Sequence, residues 1–289
     1  MYTIITDSCC DLNKKVAAEY EGFEILPLSF TIGGVTSPDQ MNDDEVHAYY
    51  DRLRAGESST TSQISPSDFY EAYMAHVKKG EKLLCIHFSS ALSGTYNSAC
   101  VAKEMVLEEC PDAVIEVVDT LAASAGQGMM VVDALGNREA GMSLAENAQW
   151  LRDRAQHYAH WFTVDDLHFL KRGGRCSPSA AFFGSMLSIK PVLHVSEEGK
   201  LIAREKVRGR KQALKALASK FGELEADKDQ QIFISHGDCE NDALVVKQHL
   251  VDMYGCDPER IILSHVGPVI GSHAGPGVVA LFFRGKDRG

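Results

Sequence analysis

An α/β protein of two domains is the fold class this sequence predicts, and three observations predict it. Uninterrupted apolar runs alternate with helix-period segments through the first half, the pattern of a parallel sheet covered on both faces. The second half mixes hairpins with helices, as a mixed sheet does. The length, 289 residues, is nearly twice the usual single domain of roughly 150. The character of the chain changes near Gln156–Trp161. Residues 1–158 are therefore expected as an N-terminal domain, a parallel sheet flanked by helices, and residues 159–289 as a C-terminal mixed α/β domain.

The elements follow in order. Thr3–Thr6 is expected as a strand, Leu12–Tyr20 as a helix and Glu24–Ile32 as one longer strand. Asn42 can cap a helix running through Tyr49 to Leu53. Ser65 and Pro66 open another, with proline in its first turn and Gly80 at its end. Leu83–Phe88 is an apolar strand, followed by a long helix from about Gly94 to Glu109. Val114–Val118 is again an apolar strand, and helical segments follow to about Tyr158. Beyond the boundary, Trp161–Val164, Pro191–Ser196 and Lys200–Val207 are expected as strands, the last two joined by a turn at Glu198–Gly199. The spacing of Leu214, Leu217, Ala218 and Phe221 predicts an amphipathic helix over Arg210–Glu225. Strand Gln231–Ser235, helix Asp242–Tyr254, and strands Arg260–His265 and Val278–Phe283 complete the reading.

Composition narrows the function classes. At 45% hydrophobic and 24% charged residues the chain can bury a real core, which excludes disorder, collagen-like sequence and a disulfide-stapled miniprotein. The net charge of −11 repels phosphate backbones and argues against nucleic-acid binding. Ile261–Phe283 carries no Asp, Glu, Lys or Arg over 23 residues, long enough to span a bilayer. Its serines, histidines, glycines and prolines would leave backbone groups unsatisfied in lipid, so it is read as a strand, a loop and a strand. The start, MYTIITDSCCDL, lacks the features of a signal peptide. The eight cysteines form no CxxC pair, which argues against zinc ribbons and thioredoxin-like motifs. Cys85 and Cys100 fall in apolar runs and are expected as core residues, with reduced thiols in a cytoplasmic protein.

There is no GxxxxGK[ST] loop, no GxGxxG after the first strand, no HExxH and no GxSxG. What remains are small polar segments placed where open α/β sheets bind ligands: Thr6-Asp7-Ser8, Thr60-Thr61-Ser62-Gln63 and Ser89-Ser90-Ala91-Leu92-Ser93-Gly94-Thr95. In the third, hydroxyls and free N–H groups converge on a helix start, which either favours a bound anion or leaves Ser93 or Ser90 as a simple cap. Leu170-Lys171-Arg172-Gly173-Gly174-Arg175 is basic in an acidic chain; it holds an anion, docks a partner, or is only a charged turn. Cys176–Ile189, uncharged over 14 residues and carrying Phe182, Phe183, Met186 and Leu187, is a core helix or one wall of an apolar cavity. Gly271-Ser272-His273-Ala274-Gly275-Pro276-Gly277 sets one histidine among small residues that leave its ring accessible. His236, in ISHGD, is its weaker companion.

These segments together resemble the DegV family of bacterial fatty-acid-binding proteins, in order over about residues 3–283. The resemblance rests on ITDSCCDL, TTSQISPSDF, SSALSGTYNSA, VVDTLAASAGQG, VDDLHFLKRGGR, KPVL and GSHAGPG. It implies one long-chain fatty acid, such as palmitate, buried between two α/β domains, with no cofactor and no metal. It implies that hydroxyls of the TTSQ and SSxLSGT segments bind the carboxylate, here Thr61 and Ser93, with Ser62, Gly94 and Thr95 beside them and His273 near the head group. Some members present the buried chain to a fatty acid kinase, giving an acyl phosphate for phospholipid synthesis. The basic turn would then dock that partner through Arg172 and Arg175, with only transient membrane contact. Cys10 stands where many members carry a small residue.

The energetics are compatible. A sixteen-carbon chain buries about 14 methylenes at ~0.8 kcal/mol each, roughly 11 kcal/mol gross. Association and ordering remove about 4 kcal/mol or more. Hydroxyl and N–H donors are then enough to hold the carboxylate, with no positive charge required. A carrier without chemistry is the leading expectation. The alternatives are a serine hydrolase, with Ser93 as nucleophile, His273 as base and Asp7 or Asp119 orienting it, and a lipid-sensing regulator.

Overall fold

A computed structural model describes residues 2–12, 18–40, 42–176 and 189–289. The first half comprises β1 (Thr3–Asp7), β2 (Phe23–Leu26), β3 (Ser29–Ile32), β4 (Val35–Pro38), α1 (Asp43–Arg54), β5 (Ser59–Ser62), α2 (Pro66–Val77), β6 (Leu83–His87), α3 (Thr95–Glu109), β7 (Ile115–Asp119), α4 (Ala125–Glu139) and α5 (Leu144–Arg154). The second comprises β8 (Tyr158–Thr163), α6 (Leu167–Arg172), β9 (Ile189–Val195), β10 (Leu201–Arg208), α7 (Arg210–Leu224), β11 (Ile232–His236), α8 (Glu240–Tyr254), β12 (Ile261–His265), α9 (Pro268–Ala274) and β13 (Val279–Arg284).

The first sheet has the order β2-β1-β6-β7 and is parallel throughout. Its strands carry apolar residues toward both faces, most continuously in β6 over Leu83–Ile86, because both faces are covered. Side chains alternate across a strand, so Ile5, Leu83, Cys85 and Val117 meet Phe69, Tyr73, Ala102 and Val106 of α2 and α3. Ile4, Leu84, Ile86 and Val118 point the other way, toward Met129, Met130, Ala134 and Leu135 of α4. Ser65 and Asp68 close α2 with a reciprocal capping box, worth about 1 kcal/mol.

The mixed sheet has the order β10-β9-β8-β13-β11-β12. One face carries α7 and α8, whose Leu214, Leu217, Phe221 and Val246 pack on Trp161, Ile234, Leu281 and Phe283. The other face, with Phe162, Leu193, Ala280 and Phe282, joins the same core as α4. Helix α4 thus lies between the two sheets. Its start tolerates no bulk: a Cβ at Gly126 would sit 2.0 Å from Cδ2 of His160. This close approach accounts for the Ala-Gly-Gln-Gly opening of the helix.

Two expectations are corrected, and one strand is not anticipated by the sequence. Glu24–Ile32 is two strands: β2 pairs with β1, while β3 joins a separate antiparallel sheet of order β4-β3-β5. The break falls at Pro27-Leu28, where proline has no N–H for the ladder. Strand β5 itself, STTS, lacks the apolar alternation that would have marked it. The stretch between β12 and β13 is not a loop but holds α9. Gly267 offers no side-chain cap; the helix start is satisfied from far along the chain, with Gly267 N–H donating to Asp11 (2.9 Å) and Val269 N–H to Asp39 (3.1 Å). The expected helix Leu12–Tyr20 falls largely on residues 13–17, and the Cys176–Ile189 segment on 177–188, outside the described residues.

Candidate ligand-binding site

A cavity of about 400 Å³ lies between the sheets, walled by β5, the loop after β6, the inner faces of β8 and β13, α9 and the β9–β10 hairpin. Its walls are largely apolar, with Leu28, Phe88, Phe162, Val269, Ala280 and Phe282 among them. Thr61, Ser62, Gln63, Ser93, Arg175 and His273 form one polar end, while Ser124 and His160 line the cavity elsewhere.

Each of these is positioned by its element. Helix α9 is fastened to β5 and α1 through Ser272, whose hydroxyl bonds Ser59 (2.7 Å), Tyr49 (2.7 Å) and the carbonyl of Pro268 (2.8 Å). Tyr50 adds a bond to the carbonyl of Val266 (2.9 Å). This anchoring carries the His273 ring to Thr61, whose Oγ1 lies 2.8 Å from Nε2. Behind the ring is Gly173, where a Cβ would come within 2.2 Å of Nδ1. The sequence LKRGGR is thus partly explained by packing. Burial, then the Arg175 and Arg172 charges, push the His273 pKa down to about 4, so the ring is neutral at pH 7 and offers one donor and one acceptor.

Ser93 stands just before α3. Its hydroxyl accepts from the Thr95 N–H (3.2 Å) and bonds the Thr95 hydroxyl (2.9 Å). Ser93 therefore both lines the cavity and supports the helix start, so the two readings of this segment are compatible. Thr95 is fully buried behind it, and Gly94 is the N-cap residue. Gln63 covers Gly94 and donates to Ser98 (2.9 Å). Gln63 belongs to the second small polar segment of the sequence, which assigns it no role of its own.

The basic turn divides. Arg172 is exposed and stacks over Phe169, 4.7 Å from the ring centroid. Arg175 turns inward, donating to the carbonyls of Leu92 (3.1 Å) and Gly173 (2.6 Å) while lining the cavity. Arg175 thus brings a positive charge to the cavity wall, where the sequence implies only a docking role for it. His236 lies elsewhere, its ring 4.7 Å from that of His265.

A hydrolytic triad is not assembled. Asp7 is bonded to His87 (2.9 Å) and to the N–H groups of Phe88 and Cys9 (both 3.1 Å). Asp119 accepts from Ser90 and Leu121 N–H, and His273 bonds Thr61. Among the described residues no group of three or more His, Cys, Asp or Glu could hold a metal ion, and no helix is long and apolar enough to cross a membrane. All eight cysteines are free thiols.

A largely apolar cavity with a group of donors in its wall is what an amphipathic chain fills. The family model that matches residues 1–286 is described as "Uncharacterised protein, DegV family". The chain belongs to the DegV family. A DegV domain-containing protein of Clostridium perfringens is 41% identical over 99% of this chain and 98% of its own length. Among solved structures, a DegV family protein from Thermus thermophilus, reported for its fatty acid binding, superposes with a TM-score of 0.88 at 32% identity, covering 98% of this chain and 99% of that one. A fatty acid binding DegV family protein from Streptococcus agalactiae gives 0.86 at 31%, covering 99% of each. These DegV relatives match nearly from end to end, so both sheets and the intervening cavity fall within the similarity.

Proposed function

We propose that this chain binds one long-chain fatty acid in the cavity between its sheets and carries it without chemistry of its own. The observation that carries the reading is the largely apolar cavity with Thr61, Ser93, Arg175 and His273 grouped in its wall. The acyl chain lies against Phe162, Ala280 and Phe282, and the carboxylate meets the hydroxyls of Thr61 and Ser93 and the His273 ring, with Ser62 at the rim. Arg175 lowers the cost of burying the charge. The fatty acid binding of the Thermus and Streptococcus relatives supports the same reading. The division into residues 1–158 and 159–289, with the ligand between them, belongs to this proposal.

A further step is presentation of the carboxylate to a fatty acid kinase, which gives an acyl phosphate for phospholipid synthesis. Arg172, exposed beside the polar end, is the docking residue in this reading, with Arg175 serving the ligand as well. Arg172→Ala should retain fatty acid while slowing phosphorylation of the bound lipid by an added kinase.

The direct test is to purify the chain from cells, extract it with organic solvent and examine the extract by mass spectrometry. About one fatty acid per chain is expected. Recovery of none, with none taken up on addition, removes the proposal.

A further inference from the structure

Arg288, in the tail after β13, is 1% exposed and heads the large side chains buried in this protein. Its guanidinium is held by backbone carbonyls from three separate segments. It donates to Thr120 (3.4 Å) and Leu121 in the turn after β7, to Ala155 just after α5, and to Ser196 (3.3 Å) at the β9–β10 turn. Burying a guanidinium is costly, and such a cluster of acceptors is what offsets the loss of water.

Two of those segments are walls of the cavity. The turn after β7 carries Ala123 and Ser124, both lining it. This turn is strained, with Leu121 at φ 50° and Ser124 at φ 55°, conformations that persist only where surrounding contacts enforce them. The β9–β10 turn is flanked by Val195 and Leu201, which also line the cavity. Its tip is fastened a second time, by Ser89 donating to the carbonyl of Gly199 (2.9 Å).

Register puts the hairpin wall at the end of β13 remote from His273. Phe282 faces His160 across β13 and β8. Val195 faces Leu201 across β9 and β10. His160 precedes Trp161, the partner of His194. One row therefore crosses four strands as Phe282, His160, Val195, Leu201, all of them cavity residues. Along β13 this row is four residues beyond Val278, about 14 Å at a strand rise of ~3.4 Å per residue. Helix α9 and His273 lead into β13 from the opposite end.

We infer that Arg288 is a positioning residue that closes the remote end of the cavity, and so sets how long an acyl chain is accepted and how slowly it leaves. This rests on the fatty acid reading above. The residue touches no ligand; it fixes the two turns that do.

The test compares the parent with Arg288→Gln and, independently, Gly199→Ala. The second keeps Arg288 but places a Cβ 2.2 Å from the Ser89 hydroxyl and 3.2 Å from the Leu121 backbone, at a φ of +74°, which must push the hairpin tip outward. Bound lipids are profiled by extraction and mass spectrometry, and release of palmitate is followed with a fluorescent acceptor. Both variants should shift the profile toward longer chains and release palmitate on the order of tenfold faster, since affinity changes are expressed mainly in dissociation. Octanoate, too short to reach the remote wall, should bind each variant within about twofold of the parent. A folded Arg288→Gln protein with the parent's profile and release rate overturns the inference. So does an equal loss for octanoate, which would mark general destabilisation. If Arg288→Gln does not fold, Gly199→Ala is judged by the same two criteria. A parent that neither carries nor takes up fatty acid instead defeats the underlying reading.

Discussion

Thr61→Val removes one oxygen from the polar end and little else. Valine has nearly the shape of threonine, is β-branched, and suits the β5 strand, where Thr61 pairs with Phe30. The change acts on two partners. In the ligand-free protein it strips His273 Nε2 of its 2.8 Å contact, and Nδ1 already has no partner among the described residues. A buried polar atom left unpaired costs about 1–3 kcal/mol. In the complex it deprives a carboxylate oxygen of a donor, and a hydrogen bond to a charged group is worth roughly 1.5–3 kcal/mol. The dissociation constant reports the loss in the complex less that in the ligand-free protein, so at about 1.4 kcal/mol per decade it should rise by up to roughly 30-fold for palmitate. Delipidated protein titrated with a fluorescent fatty acid and competed with palmitate gives the constant, and a thermal melt gives the stability. A folded variant that binds palmitate as tightly as the parent would refute the assignment of Thr61 to the head group.

Three further outcomes follow from the same geometry. Ser93→Ala should also weaken palmitate binding, and the Thr61→Val/Ser93→Ala pair should lose less than the sum, because both hydroxyls serve one head group; strict additivity in the same competition assay would count against a shared site. The His273 pKa is about 4 when folded against an ordinary 6.5, so the unfolded chain takes up a proton first as the pH falls. Its contribution is complete above pH 6.5 and lost toward pH 4, roughly 3 kcal/mol over the window; urea midpoints of His273→Gln should show a flatter pH profile there, and an unchanged slope would contradict this. Burial pushes Asp11 up to about 8, against hydrogen bonds from Ser124 and Gly267 that pull it down and the Asp39 charge that pushes it further up. That contribution is complete below pH 4 and lost as the pH rises through 8. Asp11→Asn, which keeps a donor and an acceptor in place, should therefore lose less stability between pH 5.5 and pH 8.5 than the parent, as read by urea melts.

The sequence by itself determined the parallel sheet, because β1, β6 and β7 carry apolar residues toward both helix layers, with Thr6, His87 and Glu116 among the exceptions, and periodicity reports burial directly. It also determined the helices with local stop and start signals, such as the Ser65–Asp68 box of α2. Thr61, Ser93 and His273, which line one cavity, stood out as members of small polar segments; their place at a head group belongs to the proposed function. Tertiary structure decided the rest. Helix α9 forms because Asp11 and Asp39 supply its missing acceptors from more than two hundred residues away, and no local pattern encodes a cap of that kind. The inward turn of Arg175 depends on where Leu92 lies, not on its own neighbours in the chain. The cavity itself is invisible to periodicity: an inward-facing Ala280 or Phe282 has the same pattern whether its neighbour is another side chain or an open slot. Only the spacing of the two sheets about α4, set by glycine against His160, distinguishes a packed core from a space able to hold a ligand.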